Sequence, residues 1–275
     1  MLADTAYGKC GVRLVQVVRP GDRHALKDLT VAVRFEGEYD ASYAGDNSDV
    51  LPTDTMKNTV YALAARRRID EPEPFALTLA EHFLDGNPHL RRVTIDLTEH
   101  LWARVVTGEK EHDHAFVRQG PETRTARVSC DRQEAQIRAG IADLLVLKTA
   151  GSAFDGFRRD EFTTLRETRD RLLATAVTAT WRYDAGTAYG PAWHAVRRTL
   201  LDTFADHESE SVQHTLHAMG RAVLDALPDI ADIHLVMPNR HHLPVDLEPF
   251  GLENRNEIFV ATDMPYGLIQ ATLRR

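Results

Sequence analysis

The sequence has few of the features that mark secreted, membrane-spanning or zinc-bound chains. Only two cysteines occur in 275 residues, Cys10 and Cys130, and their spacing matches no zinc motif. We therefore expect two free thiols in a reducing compartment. No segment approaches the roughly 18 consecutive apolar residues that span a bilayer. Residues 1–5 lack the basic and apolar regions of a secretory signal, and residues 273–275 are not a peroxisomal Ser-Lys-Leu address. A cytoplasmic location is the resulting expectation.

The chain also lacks an excess of positive charge. Its formal net charge is −8 at pH 7, which argues against nucleic acid or an anionic membrane as a partner. The composition is 43% hydrophobic and 27% charged, with no low-complexity segment, as in ordinary globular proteins. The length is sufficient for one large domain or two small ones.

The hydrophobic pattern runs twice through the same order. In each half, two strand-like segments precede two amphipathic helices, and two further strand-like segments follow. The first helix pair is predicted around Met56 and Phe75, and the second around Trp193 and Val212. One more helix is expected near residues 161–173. The expected strands are residues 12–18, 29–39, 93–102, 115–128, 144–148, 177–183, 230–237, 257–261 and 268–273.

This repeated pattern predicts an α+β fold of antiparallel sheets, each covered by helices on one face. We place the first domain at residues 1–135 and the second at residues 136–275. A four-stranded antiparallel sheet has two open edges, which are an aggregation hazard unless they are paired. Pairing these edges across subunits would close a barrel, so we expect an oligomer.

Seven short segments occur in the order found in one enzyme family. They are residues 7–9, 41–48, 53–59, 158–165, 211–213, 237–242 and 256–263. Through them the sequence resembles the urate oxidase (uricase) family over nearly its full length. The run Thr-Asp-Thr-Met-Lys-Asn-Thr at residues 53–59 and the run Pro-Asn-Arg-His-His at residues 238–242 are the most specific. Family members commonly have lysine where this chain has Arg240, and segment 181–191 is short here.

The resemblance implies both an architecture and a reaction. The architecture is two tandem tunnelling-fold (T-fold) domains in a homotetramer of stacked barrels, with active sites at subunit interfaces. The reaction is the oxidation of urate by dioxygen and water to 5-hydroxyisourate and hydrogen peroxide, without a cofactor or metal.

The resemblance implies a proton relay of Lys9, Thr53 and His241. An unperturbed lysine stays protonated at neutral pH, so a base at this position requires burial or a neighbouring cation such as Arg171. Histidine shuttles protons near physiological pH. The adjacent His242 suggests a metal site as the alternative, but further zinc ligands are missing from the vicinity.

Thr53 and Asp54 follow Pro52, where helix capping is the ordinary interpretation. A helix start also presents unpaired N–H groups that suit an anion. In the related enzymes the matching pair reaches urate bound by the neighbouring subunit.

The remaining substrate contacts are also implied by the resemblance. The ordinary alternative for Arg171 is a solvated helix face, but a guanidinium can bind a planar anion through two parallel N–H bonds. A glutamine amide offers a donor and an acceptor to a purine edge, and an aromatic ring can stack on the heterocycle. Asparagine would hold dioxygen, and later water, above the ring. The residues assigned to these contacts are Phe154, Leu165, Arg171, Val212, Gln213 and Asn239.

Two other functions remain open from the sequence. One is a different T-fold activity on a pteridine or purine, for which stoichiometric zinc would be the sign, since fold alone does not fix chemistry. The other is a purine-binding or scaffold protein without catalysis. The presence of every matched relay residue argues against the second.

Overall fold

The computed structural model describes Leu2, residues 4–184 and residues 186–275. Segments 1–5 and 181–191 therefore lie partly outside the described residues. The chain forms two compact units, Met1–Gly140 and Ile141–Arg275. The boundary predicted after residue 135 coincides with the start of a strand that runs from Ala135 to Lys148, and it stays a prediction.

The first unit is a sheet of four consecutive antiparallel strands. The elements are β1 (Ala6–Val18), β2 (Ala25–Gly37), α1 (Asp40–Tyr43), α2 (Thr53–Arg66), α3 (Pro72–Gly86), β3 (Leu90–Thr107) and β4 (Lys110–Cys130). Helix α2 packs against β1, and α3 packs against β3 and β4.

The core of this unit lies between the sheet and the helices. Leu29, Val31, Val33 and Phe35 alternate along β2 and are at most 1% exposed, because every second side chain of a strand faces the same side. The ring of Phe35 meets that of Phe83 from α3 edge to face, with centroids 5.0 Å apart. The alternating apolar side chains of β2 and the apolar face of α3 therefore pack into one layer.

The second unit repeats this arrangement. Its elements are β5 (Ala135–Lys148), β6 (Leu173–Tyr183), α4 (Tyr189–Asp206), α5 (Val212–Ala226), β7 (Ile230–Pro244), a 3₁₀ turn (Glu248–Phe250) and β8 (Phe259–Arg274). The four strands follow one another in the sheet, and β6–β7 and β7–β8 are antiparallel. Helix α5 packs on β7 and β8, and α4 packs on α5.

One glycine sets the close approach of helix and sheet in this unit. A Cβ added to Gly220 of α5 would lie 2.7 Å from a side-chain carbon of Leu273 on β8. A larger residue would therefore force the Leu273 side chain to move.

The expected antiparallel sheets with two packed helices each are confirmed, but the helix expected near residues 161–173 is wrong. This segment forms a turn and an extended stretch. The carboxylate of Asp160 accepts hydrogen bonds from the Phe162 backbone N–H at 3.0 Å and from the Thr163 hydroxyl at 2.8 Å. Such local side-chain bonds compete with helix formation. Further along, Thr168 pairs with Phe154 in an antiparallel bridge.

The last two expected strands are one strand, β8. Gly267 pairs with Asn239 and Thr262 pairs with His241. Residues 263–266 of β8 thus lie opposite Arg240 alone, and the extra residues bulge out of the ladder. Pro265 and Gly267 indicate a strand break in the sequence. In the structure Pro265 lies in the bulge, and Gly267 pairs in the ladder directly after it.

The helices that the structure describes include no candidate for a membrane span.

Candidate active site

A cavity of about 460 Å³ lies in the second unit. Four parts of this unit form it: the irregular segment between β5 and β6, the start of α5, the second half of β7, and β8 with the loop before it. Seven residues singled out from the sequence line it: Phe154, Leu165, Arg171, Val212, Gln213, Asn239 and His241.

Arg171 lines this cavity, and it forms no ion pair with any residue that the structure describes. Its Nε and Nη2 atoms are buried and find no acceptor among the described residues. The guanidinium carbon lies 5.2 Å from the centroid of the Phe154 ring, within the range of a cation–π contact. Burial lowers the pKa of Arg171 from its ordinary value. A buried charge without a partner is costly, so the site is suited to an anion.

The main chain of the irregular segment fixes Arg171 and Phe154 together. Arg171 N–H donates to the carbonyl of Ser152 at 3.0 Å, and Phe154 exchanges two backbone hydrogen bonds with Thr168, at 2.7 and 3.1 Å. Phe157 stacks on Phe154, with ring centroids 5.0 Å apart and planes 15° apart. The solvated helix face considered for Arg171 is therefore wrong, because the residue lies on a folded-back extended segment.

The start of α5 contributes Val212 and Gln213. The hydroxyl of Ser211 caps the helix by accepting from the His214 N–H at 3.1 Å. Val212 is buried and belongs to the core, whereas the Gln213 side chain is exposed and lines the cavity. An amide donor and acceptor therefore face the same space as the guanidinium.

Asn239 and His241 lie two residues apart on β7, and strand geometry places such residues on the same side. The Asn239 amide nitrogen is 3.5 Å from His241 Nδ1. His242, considered from the sequence only as a metal ligand, also lines the cavity. Among the described residues, no group of three or more His, Cys, Asp or Glu side chains is arranged to hold a metal ion.

Lys9, Thr53 and Asp54 belong to the first unit. Lys9 pairs with Val33 in the sheet, and the register shifts directly after it. The Lys57 ammonium lowers the pKa of Asp54 through a hydrogen bond of 2.5 Å, and Lys9 has a smaller effect in the same direction. Lys9 therefore lies near the start of α2.

Capping by Thr53 is not what the structure shows. The residue at the N-cap of α2 is Pro52, and no side chain caps the helix. Thr53 is already the first helical residue, and Pro52 before it is extended, with φ −56° and ψ 137°. Among the described residues no side chain accepts from the backbone N–H groups of this helix start.

Sequence reasoning missed several residues around the cavity. Asp170, Asn256, Phe259 and Ile269 line it as well. Asn256 and Phe259 lie in the supporting segment at residues 256–263, so the resemblance contained a signal for them. Nothing in the pattern near Ile269 distinguishes it from an ordinary strand residue.

Comparison with known proteins shows which family has this fold and these motifs. A family model described as Uricase matches residues 5–129 and 137–270. The chain belongs to the uricase family. The resemblance drawn from the short motifs is confirmed, and with it the fold of two tandem T-fold domains.

Relatives within the uricase family align with this chain along its length. A uricase from Arthrobacter globiformis is 45% identical over 277 residues, which cover 100% of this chain and 90% of the relative. A uricase from Danio rerio is 38% identical over 98% of this chain and 94% of its own length. The crystal structure of the Arthrobacter globiformis uricase superposes with a TM-score of 0.95 at 44% identity, covering 100% of this chain and 95% of that chain.

Proposed function

We propose that this chain is a urate oxidase and that the cavity of its second unit binds the urate anion. Membership of the uricase family supports the activity. The observation that carries the assignment of the site is the buried Arg171 guanidinium. It has no acceptor among the described residues and lies against the face of Phe154 in a cavity that fits a small heterocycle.

In this proposal each cavity residue has a defined contact. Arg171 donates two parallel N–H bonds to the urate anion. Gln213 offers its amide donor and acceptor to the purine edge, with the Val212 backbone beside it. Phe154 stacks on the ring, a contact that contributes about 0.5–1.5 kcal/mol beyond burial. Leu165 adds an apolar contact at the rim.

The proposed chemistry starts with removal of a second proton from urate monoanion. Lys9 draws this proton through the Thr53 hydroxyl, and His241 completes the relay. The resulting dianion passes one electron to dioxygen, and the urate radical and superoxide combine into a peroxide adduct. The proton held by the relay returns to this adduct, which loses hydroperoxide. Hydroperoxide takes a proton from the water held by Asn239 and becomes hydrogen peroxide, while the hydroxide adds to the ring as the hydroxyl of 5-hydroxyisourate. One urate, one dioxygen and one water thus give one product and one hydrogen peroxide.

The proposed enzyme is a homotetramer. Thr53 and Asp54 of one subunit would complete the cavity of another, as the family resemblance implies. Among the described residues, β1 and β8 each neighbour only one strand, and such sheet edges supply a physical reason for an assembly. A cytoplasmic location and independence from any cofactor stay predictions of the sequence.

The activity is tested by following urate absorbance and hydrogen peroxide together. Equimolar urate loss and peroxide formation, unchanged by a metal chelator, is the expected result. Stoichiometric zinc in the purified protein, combined with no urate loss, would favour a pteridine- or purine-converting T-fold enzyme. Urate binding without turnover would favour a non-catalytic binding protein.

The relay is tested by the Lys9→Met variant. General-base removal typically lowers rates by about 10²–10⁴-fold, so turnover should fall at least about 100-fold. Lys110→Met, at the exposed start of β4, is the matched control and should retain activity. Turnover of Lys9→Met close to the wild-type value at neutral pH would contradict the relay.

A further inference from the structure

Asn256 has an unusual backbone conformation at the rim of the cavity. Among the described residues, only Asn256 and Asp143 have a positive φ without being glycine, with values of 64° and 57°. Asparagine tolerates this left-handed region better than most residues, yet the conformation still costs energy. A residue other than glycine keeps such a conformation where contacts with its surroundings compensate the energetic cost.

The Asn256 side chain has a specific partner in the cavity wall. Its Nδ2 donates to the Asp170 Oδ2 atom at 3.2 Å, across 86 residues of sequence. Both residues line the cavity, and Asp170 directly precedes Arg171. The bond therefore acts on the segment that presents the anion-binding guanidinium.

The hydrogen bond from Asn256 also affects whether the Asp170 carboxylate can form an ion pair with Arg171. Arg171 Nε and Nη2 are buried without an acceptor among the described residues, although a carboxylate stands next in the chain. Burial is the one cause that shifts the pKa of Arg171, and no carboxylate contributes. If Asp170 turned towards Arg171, it would form the ion pair that the guanidinium now lacks, and it would compete with an anionic ligand.

We propose that Asn256 is a positioning residue, because its amide holds the Asp170 carboxylate away from Arg171 and so leaves the guanidinium free for an anionic substrate. The identity of that anion as urate rests on the function proposed above. Glycine at this position would adopt the same φ but would offer no amide to Asp170. The strained asparagine thus combines the required backbone conformation with the required donor.

Three variants and one control test this role. Asn256→Gly keeps the backbone conformation and removes the amide. Asp170→Asn removes the carboxylate, and the double variant removes both. Asp143→Gly makes the same kind of backbone change at the other positive-φ position, in β5 and outside the cavity lining. Thermal unfolding of all four checks that each is folded.

The expected result is a rise of about three- to tenfold in KM for urate in Asn256→Gly, with kcat within about twofold of wild type. This modest change suits the loss of an exposed hydrogen bond to a charged group. The double variant should return towards the wild-type KM, because no carboxylate remains to capture Arg171. Asp143→Gly should not change KM. Unchanged KM in Asn256→Gly, or a double variant as weak as the single one, would overturn the proposal.

A ligand-free crystal structure of Asn256→Gly separates this proposal from the proposed function. Arg171 should pair with Asp170 and leave its place 5.2 Å from the Phe154 centroid. If Arg171 stays over Phe154 with Asp170 unpaired, the positioning role is refuted, whether or not the enzyme consumes urate. Conversely, a captured Arg171 in a protein without urate turnover would refute the proposed substrate and keep the positioning role.

Discussion

At the residue scale, two electrostatic effects oppose each other in the proposed anion site. They are the negative net charge of the chain and the positive charge of Arg171. The net charge of −8 repels an anion at long range, but salt screens that repulsion beyond about 8 Å at physiological ionic strength. Inside the cavity Arg171 dominates, because its donors are buried and lack an acceptor among the described residues. Local geometry therefore outweighs the global charge.

Arg171→Lys tests whether the fork of N–H donors, and not the charge alone, binds the anion. Lysine keeps the charge but cannot form two parallel bonds, so KM for urate should rise about 10- to 100-fold, in line with the roughly 1.5–3 kcal/mol of a hydrogen bond to a charged group. Steady-state kinetics measure the change. Arg169→Lys is the control, since Arg169 is 88% exposed and pairs with Asp155. Equal effects of the two substitutions would contradict the bidentate contact.

The surroundings of His207 predict how the stability of the fold depends on pH. Its ring lies 4.3 Å from that of His214, and its carbonyl accepts from Lys148 Nζ at 2.6 Å. Burial first, and then the neighbouring His214 and Lys148, lower the pKa of His207 below its ordinary 6.5. The unfolded chain therefore binds a proton at this residue more readily than the folded chain.

The sign of the pH effect follows from this difference. The contribution of His207 to stability is complete above about pH 6.5, and it is lost as the pH falls towards the folded-state pKa. As the pH falls below 6.5, the free energy of unfolding should decrease less steeply in His207→Gln than in the wild type. The two slopes should differ by at most about 1.4 kcal/mol per pH unit. Urea unfolding at several pH values measures this slope. His194→Gln, on the exposed face of α4, should leave the slope unchanged.

At the element scale, helix α3 is tied to its sheet by a buried ion pair. Glu73, in the first turn of α3, accepts from Arg124 of β4 at 2.7 Å, and the two side chains are 0% and 6% exposed. Burial raises the pKa of Glu73, although Arg124 acts against this rise. Removing one partner leaves the other polar group buried, which is more costly than removing both.

Glu73→Ala should therefore lower the free energy of unfolding by about 3–5 kcal/mol. The double variant Glu73→Met with Arg124→Met should lose much less, because no uncompensated charge remains. Chemical denaturation of the single and double variants measures both effects. A double variant as unstable as Glu73→Ala would contradict this explanation, because removing both charges would then cost as much stability as removing one.

At the scale of the whole molecule, the proposed site needs two chains. Thr53 would come from one subunit and Arg171 from another, so variants that each lack one half should complement each other. Thr53→Val and Arg171→Gln should each be nearly inactive alone. Coexpressed and randomly mixed, they should regain about a quarter of wild-type activity, since each half of a site is intact with a probability of about one half.

Activity that stays low in the mixed sample would contradict a site shared between two chains. If the two halves of a site came from the same chain, every site in a mixed oligomer would carry one defect and activity would stay at the level of the single variants. Light scattering on the same samples should give four times the chain mass of 30.9 kDa. A monomer with full activity would contradict the shared site altogether.

Features that depend on residues close together in the chain could be predicted before the structure was known. The alternation of Leu29, Val31, Val33 and Phe35 predicted β2, and the helical spacing of apolar residues predicted α5, since periods of two and 3.6 are local properties of a chain. The compact motifs were sufficient for the family, because the run at residues 53–59 is contiguous. The pattern also predicted the order of strands and helices in each half.

The tertiary structure alone decided how distant segments meet. The charged pattern of residues 161–173 fits a helix locally, yet the bridge between Thr168 and Phe154 holds the segment extended. The gathering of Arg171, Gln213 and Asn239 around one cavity depends on strand register and helix packing, which no local period encodes. The bond from Asn256 to Asp170 joins positions 86 residues apart. Such contacts form only once the chain has folded back on itself, because their energy depends on proximity in space and not on spacing in sequence.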